Sequence, residues 1–80
     1  MSLKIDFGAA IRQERFVLGI SQGELAKRSG LHRTYVSDLE RGARNPSIEN
    51  IEKLAQALQV PVAQLFEQAG RVAAANEPHG

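Results

Sequence analysis

Residues 30–42, GLHRTYVSDLERG, have the composition of a short helix with two different faces. Val36 and Leu39 are apolar and lie at helical spacing. The polar side chains fall on the opposite side, and they are Arg33, Thr34, Ser37, Asp38 and Arg41. A glycine at each end predicts where the segment begins and stops, because glycine tolerates the left-handed conformation in which helices often end. We therefore expect a helix that buries one edge and presents hydrogen-bonding groups along the other.

The composition limits the class of protein to which the chain can belong. It has 80 residues and no cysteine, which suits one small domain and excludes a disulfide framework or a cysteine zinc site. The sequence shows no metal-ligand cluster, no nucleophile–base arrangement and no glycine-rich phosphate loop. We therefore expect neither an enzyme nor a metal or cofactor. No apolar run is long enough for a membrane span, and a cytoplasmic location is expected.

The charge is more informative in its distribution than in its total. The formal net charge is only +1, which by itself does not indicate nucleic-acid binding. Residues 27–44 are rich in lysine and arginine, whereas residues 47–68 are mildly acidic. This asymmetry fits either an electrostatic footprint for a polyanion or an ordinary solvated surface.

Apolar residues recur at helical spacing almost throughout, and no run alternates with the period of a strand, so the predicted fold class is all-α. Five helices are expected, from near residue 6 to 18, from 22 to 29, from 32 to 40, from 48 to 58 and from 62 to 68. Ser21 with Glu24 forms a capping-box pattern at the second helix, and Ser47 is the predicted N-cap of the fourth. The apolar stripe of the fourth helix comprises Ile48, Ile51, Leu54, Ala55 and Leu58.

The predicted organisation is an N-terminal arm over residues 1–5, a domain over residues 6–69 and a tail over residues 70–80. The tail lacks a sustained apolar stripe, so we expect it to be flexible, with its alanine-rich part as a possible extension of the fifth helix. In the fifth helix Val62, Leu65 and Phe66 fit either the core or a partner subunit. Because so small a domain buries little surface, the sequence favours a dimer interface there.

The second and third predicted helices are separated by only GLH, so they must cross steeply. A helix held in this way can enter the major groove of DNA, which is about 12 Å wide. Arg33 then reaches both acceptors of a guanine, and Thr34, Ser37 and Asp38 reach neighbouring base edges. Gln22, at the start of the second helix, is placed for a phosphate.

Residues 21–60, SQGELAKRSGLHRTYVSDLERGARNPSIENIEKLAQALQV, resemble the XRE or Cro/CI-type helix-turn-helix family. HRTYVSDLERGARNPS is similar in particular to the controller proteins of restriction–modification systems. The resemblance implies a five-helix, lambda-repressor-like domain that dimerises and regulates transcription from inverted-repeat operators. Double-stranded DNA is the implied partner.

The resemblance also implies roles for individual residues. Arg33, Thr34 and Ser37 match base-contacting positions, and Asp38 matches a variable specificity position. The implied phosphate contacts are Gln22, Tyr35, Arg41, Arg44 and Asn45. Arg15 and Glu40 match a buried ion pair between the first and third helices.

Several of these roles have an alternative. Arg41 and Arg44 fit pairing with Asp38 or Glu40 instead of DNA, and Tyr35 fits the edge of the core. For the whole chain, the alternative to a DNA-binding regulator is a protein-interaction module such as an antitoxin, with a cognate toxin as partner; RNA polymerase is a further candidate partner of a regulator.

Overall fold

The computed structural model describes residues 3–76, and the side chains of residues 7–72. Its elements are the helices α1 (Leu3–Leu18), α2 (Gln22–Ser29), α3 (Arg33–Glu40), α4 (Ile48–Leu58) and α5 (Val62–Asn76). No strand occurs in this part of the chain, so the predicted five-helix, all-α class is confirmed. None of these helices is long and apolar enough to cross a membrane.

The helix ends follow the capping chemistry that the sequence predicts. Ser21 Oγ accepts a hydrogen bond from the Glu24 backbone N–H at 3.0 Å, and Ser47 Oγ accepts from the Asn50 N–H at 3.1 Å. Gly30 ends α2 with a φ of 73°, a conformation in which glycine avoids the steric penalty of a side chain. The Glu24 carboxylate does not complete a reciprocal capping box, because it accepts instead from Arg28 Nε at 2.8 Å.

Both terminal boundaries differ from the prediction. Helix α1 begins at Leu3 and not near Asp6, so residues 3–5 belong to the first helix and not to an arm. Helix α5 continues to Asn76, so residues 70–76 follow the alternative left open for the alanine-rich part, an extension of the fifth helix. Leu3, Lys4 and the alanines at residues 73–75 are strong helix formers, so local propensity favours helix in both segments. Residues 1–2 of the predicted arm and residues 77–80 of the predicted tail lie outside the described part.

The core lies between the five helices. Helix α1 packs against α3, α4 and α5, while α2 packs against α3 and α4. The large, fully buried side chains are Phe7, Ile11, Leu25, Val36, Leu39, Leu54, Leu58 and Leu65. One residue of the apolar stripe predicted for the fourth helix lies outside the core: Ile48 is 67% exposed.

Helix α3 has only eight residues, which is too short for a helix to be stable by itself in water. Its position is fixed from one side by Val36 and Leu39, which are fully buried. From α1, Gly8 lies directly against the end of α3: a Cβ at Gly8 would overlap the Leu39 carbonyl oxygen and lie 2.9 Å from its carbonyl carbon. The absence of a side chain at Gly8 therefore sets how closely α1 and α3 approach.

An ion pair forms the second attachment between α1 and α3. Arg15 donates from Nε to Glu40 Oε2 at 2.8 Å and from Nη2 to Glu40 Oε1 at 2.9 Å. The two side chains are only 10% and 3% exposed, and Arg15 Nη1 donates to the Ile20 carbonyl at 3.0 Å. The Glu40 hydrogen bonds raise the pKa of Arg15 against the lowering effect of burial, so the guanidinium stays charged.

The Gly8 contact predicts an unusual response to an alanine substitution. In a helix interior Gly→Ala normally stabilises by roughly 0.5–1 kcal/mol. We expect Gly8→Ala to destabilise instead, by about 1–3 kcal/mol, because the methyl group overlaps backbone that must move. Gly70→Ala is the matched control, since Gly70 lies in α5 with no atom within 4 Å of its would-be Cβ. Urea unfolding midpoints would measure the change in stability of each variant. If both substitutions changed stability in the same direction, the close contact at Gly8 would be contradicted.

The ion pair predicts strong coupling between its two members. Glu40→Ala should lower the free energy of unfolding by about 3–5 kcal/mol, because it leaves the Arg15 charge buried without its partner. The double variant Arg15→Met with Glu40→Leu should be less destabilised than Glu40→Ala, since no charge is then stranded. Thermal unfolding followed by circular dichroism would measure both. If the double variant is less stable than Glu40→Ala, the charges themselves hold the helices together.

Candidate nucleic-acid interface

The outer side of α3 carries the polar row that the sequence predicts. Arg33, Thr34 and Arg41 are exposed, and Ser37 and Asp38 are half-buried. All five lie opposite the buried Val36 and Leu39, so the helix is anchored by one edge and open along the other. We call this row of five residues the α3 ridge.

A hollow lies on each side of the ridge. The first, the Gln22 hollow, is lined by Gln22, Arg33, Thr34, Ser37, Asp38 and Arg41. The second, the Tyr35 hollow, is lined by Gly30, Leu31, His32, Thr34, Tyr35, Asp38, Arg44 and Asn50. Thr34 and Asp38 border both hollows and form the crest between them. A helical ridge with a hollow on each side has the shape to lie in a DNA major groove, with one sugar–phosphate strand on each side.

In the Tyr35 hollow, Tyr35 takes the place at the edge of the core that the sequence offered as one of its two roles. Tyr35 is half-buried and packs against the core, and it also lines the hollow. Asn50 Nδ2 of α4 donates to Tyr35 Oη at 2.9 Å. The guanidinium of Arg44 lies 5.3 Å from the centroid of the Tyr35 ring, within the range of a cation–π contact. Arg44 is thus held at the hollow by an aromatic ring.

In the Gln22 hollow, the first residue of α2 is connected to the buried ion pair. Gln22 Nε2 donates to Glu40 Oε1 at 3.1 Å, so the same oxygen accepts from both Gln22 and Arg15. A primary amide has two N–H groups, and the second remains available for a ligand at the hollow. The Arg15–Glu40 pair therefore orients a candidate phosphate contact as well as α3.

On the ridge itself, Arg41 pairs with Asp38 through Nη2 and Oδ1. This is the intramolecular alternative that the sequence left open for Arg41. The Arg41 side chain remains 66% exposed, against 23% for Asp38, so the pair leaves most of the guanidinium facing outward. Because Arg41 neutralises Asp38, the acidic side chain repels a polyanion less than its charge alone would suggest.

The remaining candidate residues are open to solvent. Arg33 and Arg44 are exposed, and Asn45 is exposed in the loop between α3 and α4, outside the lining of both hollows. His32 takes the N-cap position of α3 but makes no side-chain capping bond. The N-cap side chain therefore leaves the first N–H groups of α3 uncapped, as suits an anion.

The three residues predicted for a dimer interface have different environments. Leu65 has 0% exposure and belongs to the core of this chain, so its placement at a partner surface is corrected. Val62 is half-buried. Phe66 is 44% exposed and packs edge-on against Phe7, with ring centroids 5.4 Å apart. Phe66 is therefore the residue of the three that offers most apolar surface to a second chain.

Asn50 is the residue at this interface that sequence reasoning missed. Its position three residues after Ser47 identifies it only as the residue whose N–H is capped. The contact with Tyr35 joins residues 15 positions apart in the chain, and no local pattern reveals it. Within the part of the chain that the structure describes, no group of three or more His, Cys, Asp or Glu side chains is arranged to hold a metal ion.

Comparisons with known proteins agree with this geometry. The helix-turn-helix family HTH_3 matches residues 11–65. Control protein C.BamHI of Bacillus amyloliquefaciens is 45% identical over 67 residues, which are 82% of this chain and 83% of that protein. The restriction-modification controller protein C.AhdI from Aeromonas hydrophila superposes with a TM-score of 0.77 at 48% identity, covering 79% of this chain and 96% of that chain.

A third similar protein covers a larger share of this chain. The clp gene regulator ClgR from Corynebacterium glutamicum superposes with a TM-score of 0.88 at 34% identity, over 94% of this chain and 81% of that chain. The region matched by the HTH_3 family, residues 11–65, includes α2, α3 and the two hollows beside them. The chain belongs to the XRE (Cro/CI-type) helix-turn-helix family.

Proposed function

We propose that this protein is a sequence-specific, double-stranded DNA-binding transcription regulator that works in the cytoplasm and binds an inverted-repeat operator as a dimer. The observation that carries the proposal is the α3 ridge between two hollows, anchored by buried side chains on its inner edge. The likeness to the control protein C.BamHI and the controller protein C.AhdI supports a regulator of the controller type.

The ridge supplies the groups that read bases. Arg33, at the first turn of α3, is long enough to donate to both acceptors of a guanine. Thr34 offers a hydroxyl and a methyl group, and Ser37 offers a hydroxyl one turn later. Asp38 accepts from a cytosine amino group in this proposal, and the paired Arg41 reduces its repulsion of the nearby phosphates.

The flanks of the ridge supply the groups that hold the DNA backbone. Gln22 donates to a phosphate from its hollow, while Tyr35, Arg44 and the neighbouring Asn45 face the opposite strand. Arg41, whose guanidinium is largely exposed, adds a charge near the end of α3. Cationic contacts of this kind provide affinity for any DNA sequence and make binding depend on salt.

A dimer places two ridges on one side of the duplex. Two-fold symmetry requires recognition helices roughly 34–36 Å apart, one turn of DNA, and hence an inverted repeat. Phe66 and the half-buried Val62 on α5 support a partner contact there, since Phe66 leaves 44% of its surface exposed. Both lie on α5, and the ridge lies on α3, so a contact through α5 leaves α3 free.

Selection from a random duplex library at physiological salt tests the proposal. We expect an inverted repeat to be enriched, and sedimentation of the complex should show two chains for each duplex. Folded protein that enriches no duplex sequence would contradict the proposal. If one chain selects a single half-site, the proposal of sequence-specific DNA binding stands and the proposal of a dimer fails.

Arg33→Ala should lower affinity for the selected operator by about 1–3 kcal/mol and relax selectivity at one base pair of each half-site, because a bidentate guanine contact is lost. Binding to operators substituted at single positions, followed by fluorescence anisotropy, would locate the base pair. An unchanged preference at every position would remove Arg33 from the residues that read bases.

Arg44→Ala should weaken binding to operator and random duplexes alike and reduce the slope of log K against log salt by about one, because one phosphate contact is lost. Lys53→Ala is the matched control: Lys53 is exposed on α4 beside Glu49 and Glu52, away from both hollows. It removes the same charge and should leave the slope nearly unchanged. A loss confined to the operator sequence would show that Arg44 reads bases instead.

A further inference from the structure

We propose that Asn50 is a positioning residue for DNA binding, which fixes the hydroxyl of Tyr35 as a hydrogen-bond donor to a backbone phosphate in the Tyr35 hollow. The inference rests on the proposed function, because the ligand is the duplex that the α3 ridge binds. It adds a residue of α4, a helix that carries none of the base-reading side chains, to the machinery of recognition.

The direction of the hydrogen bond carries the argument. Asn50 Nδ2 donates to Tyr35 Oη at 2.9 Å. A phenolic hydroxyl has one proton to donate and two lone pairs that accept. Because one lone pair already accepts from Asn50, the hydroxyl proton has to point elsewhere, and both members of this hydrogen bond, Tyr35 and Asn50, line the hollow. A phosphate oxygen only accepts, so a hydroxyl with its proton directed outward suits it.

The surroundings of Asn50 hold it in place for this role. Its backbone N–H donates to Ser47 Oγ at 3.1 Å, which fixes the first turn of α4. The next residue, Ile51, is 4% exposed and anchors that turn in the core. Tyr35 in turn packs against the core with its ring. Donor and acceptor therefore sit on two separate helices that the core holds together, and little conformational freedom is lost when a ligand binds.

The charge at the hollow favours a phosphate over a neutral ligand. The Arg44 guanidinium lies 5.3 Å from the centroid of the Tyr35 ring, and His32 also lines the hollow. Asp38, the acidic residue of the lining, is paired with Arg41 on the other side of the crest. An anion bound to Oη is therefore near the Arg44 guanidinium. The Asp38 carboxylate repels this anion less than a free carboxylate would, because Arg41 neutralises its charge.

A double-mutant cycle tests the inference on the full chain with the selected operator duplex. Tyr35→Phe should weaken binding about tenfold, as expected for one hydrogen bond to a charged acceptor. Asn50→Leu, which keeps the size of the side chain and removes its donor, should weaken binding by about three- to tenfold in the presence of Tyr35. In the Tyr35→Phe background Asn50→Leu should have almost no further effect. Neither change removes a charge, so the salt slope should stay that of the wild type.

Additive effects of the two substitutions would overturn the inference, because a purely structural role of Asn50 persists without the hydroxyl. Asn50→Ala serves as a second variant if Asn50→Leu does not fold. Gln56→Leu is the matched control, since Gln56 is an exposed amide on the other side of α4, and it should leave affinity unchanged. If wild-type protein binds no duplex, the proposed function fails; if it binds and the cycle is additive, the role of Asn50 alone fails.

The composition supplies a direct optical readout. The chain has one tyrosine and no tryptophan, so its intrinsic fluorescence reports Tyr35 alone. Saturation with operator should quench this emission in the wild type, because the hydroxyl then donates to an anionic acceptor. The quenching should be smaller in Asn50→Leu at saturating DNA, where differences in affinity no longer matter. Equal quenching in the two proteins would contradict the positioning role.

Discussion

The buried pair between Arg15 and Glu40 is the interaction on which the arrangement of the α3 ridge depends. Two charged groups at 10% and 3% side-chain exposure are stable only when each is paired and hydrogen-bonded, because desolvation would otherwise penalise them by several kcal/mol. Here the guanidinium satisfies both carboxylate oxygens and the Ile20 carbonyl. The geometry this requires fixes α1, the turn before α2 and the end of α3 relative to one another. Gln22 joins the same carboxylate, so the constraint extends to the outer surface.

The close contact at Gly8 complements the ion pair. Hydrogen bonds to Glu40 set the direction in which the last turn of α3 points, and the contact of Gly8 with the Leu39 carbonyl sets its depth. An eight-residue helix has little stability of its own, and it therefore takes its position from the elements against which it packs. The result is a short, rigid ridge whose outer side is left free for a ligand. A preorganised surface of this kind loses little entropy on binding.

The two hollows beside the α3 ridge are built differently. The Gln22 hollow is tied to the buried ion pair, whereas the Tyr35 hollow is built from the end of α2, the turn after it, α3, the following loop and α4. A small polar cluster forms in this hollow, because Asn50 and Arg44 both contact Tyr35. In the proposed DNA complex, the affinity contributed by the Tyr35 hollow depends on the relative placement of α3 and α4. Substitutions in the core between these two helices should therefore change the proposed phosphate contacts without touching a residue proposed to read bases.

The sequence by itself determined the features that depend on neighbours along the chain. The polar row on residues 33–41, the serine caps at Ser21 and Ser47, the glycine at the end of α2 and the all-α class all follow from local spacing and capping chemistry. The family resemblance added the Arg15–Glu40 pair, which spacing alone does not reveal. Tertiary structure decided what depends on distant segments: that Leu65 is core while Phe66 is exposed, that Ile48 projects into solvent, and that Asn50 meets Tyr35. Burial and side-chain contacts depend on which helices pack together, and a helical repeat specifies a face without specifying what covers it.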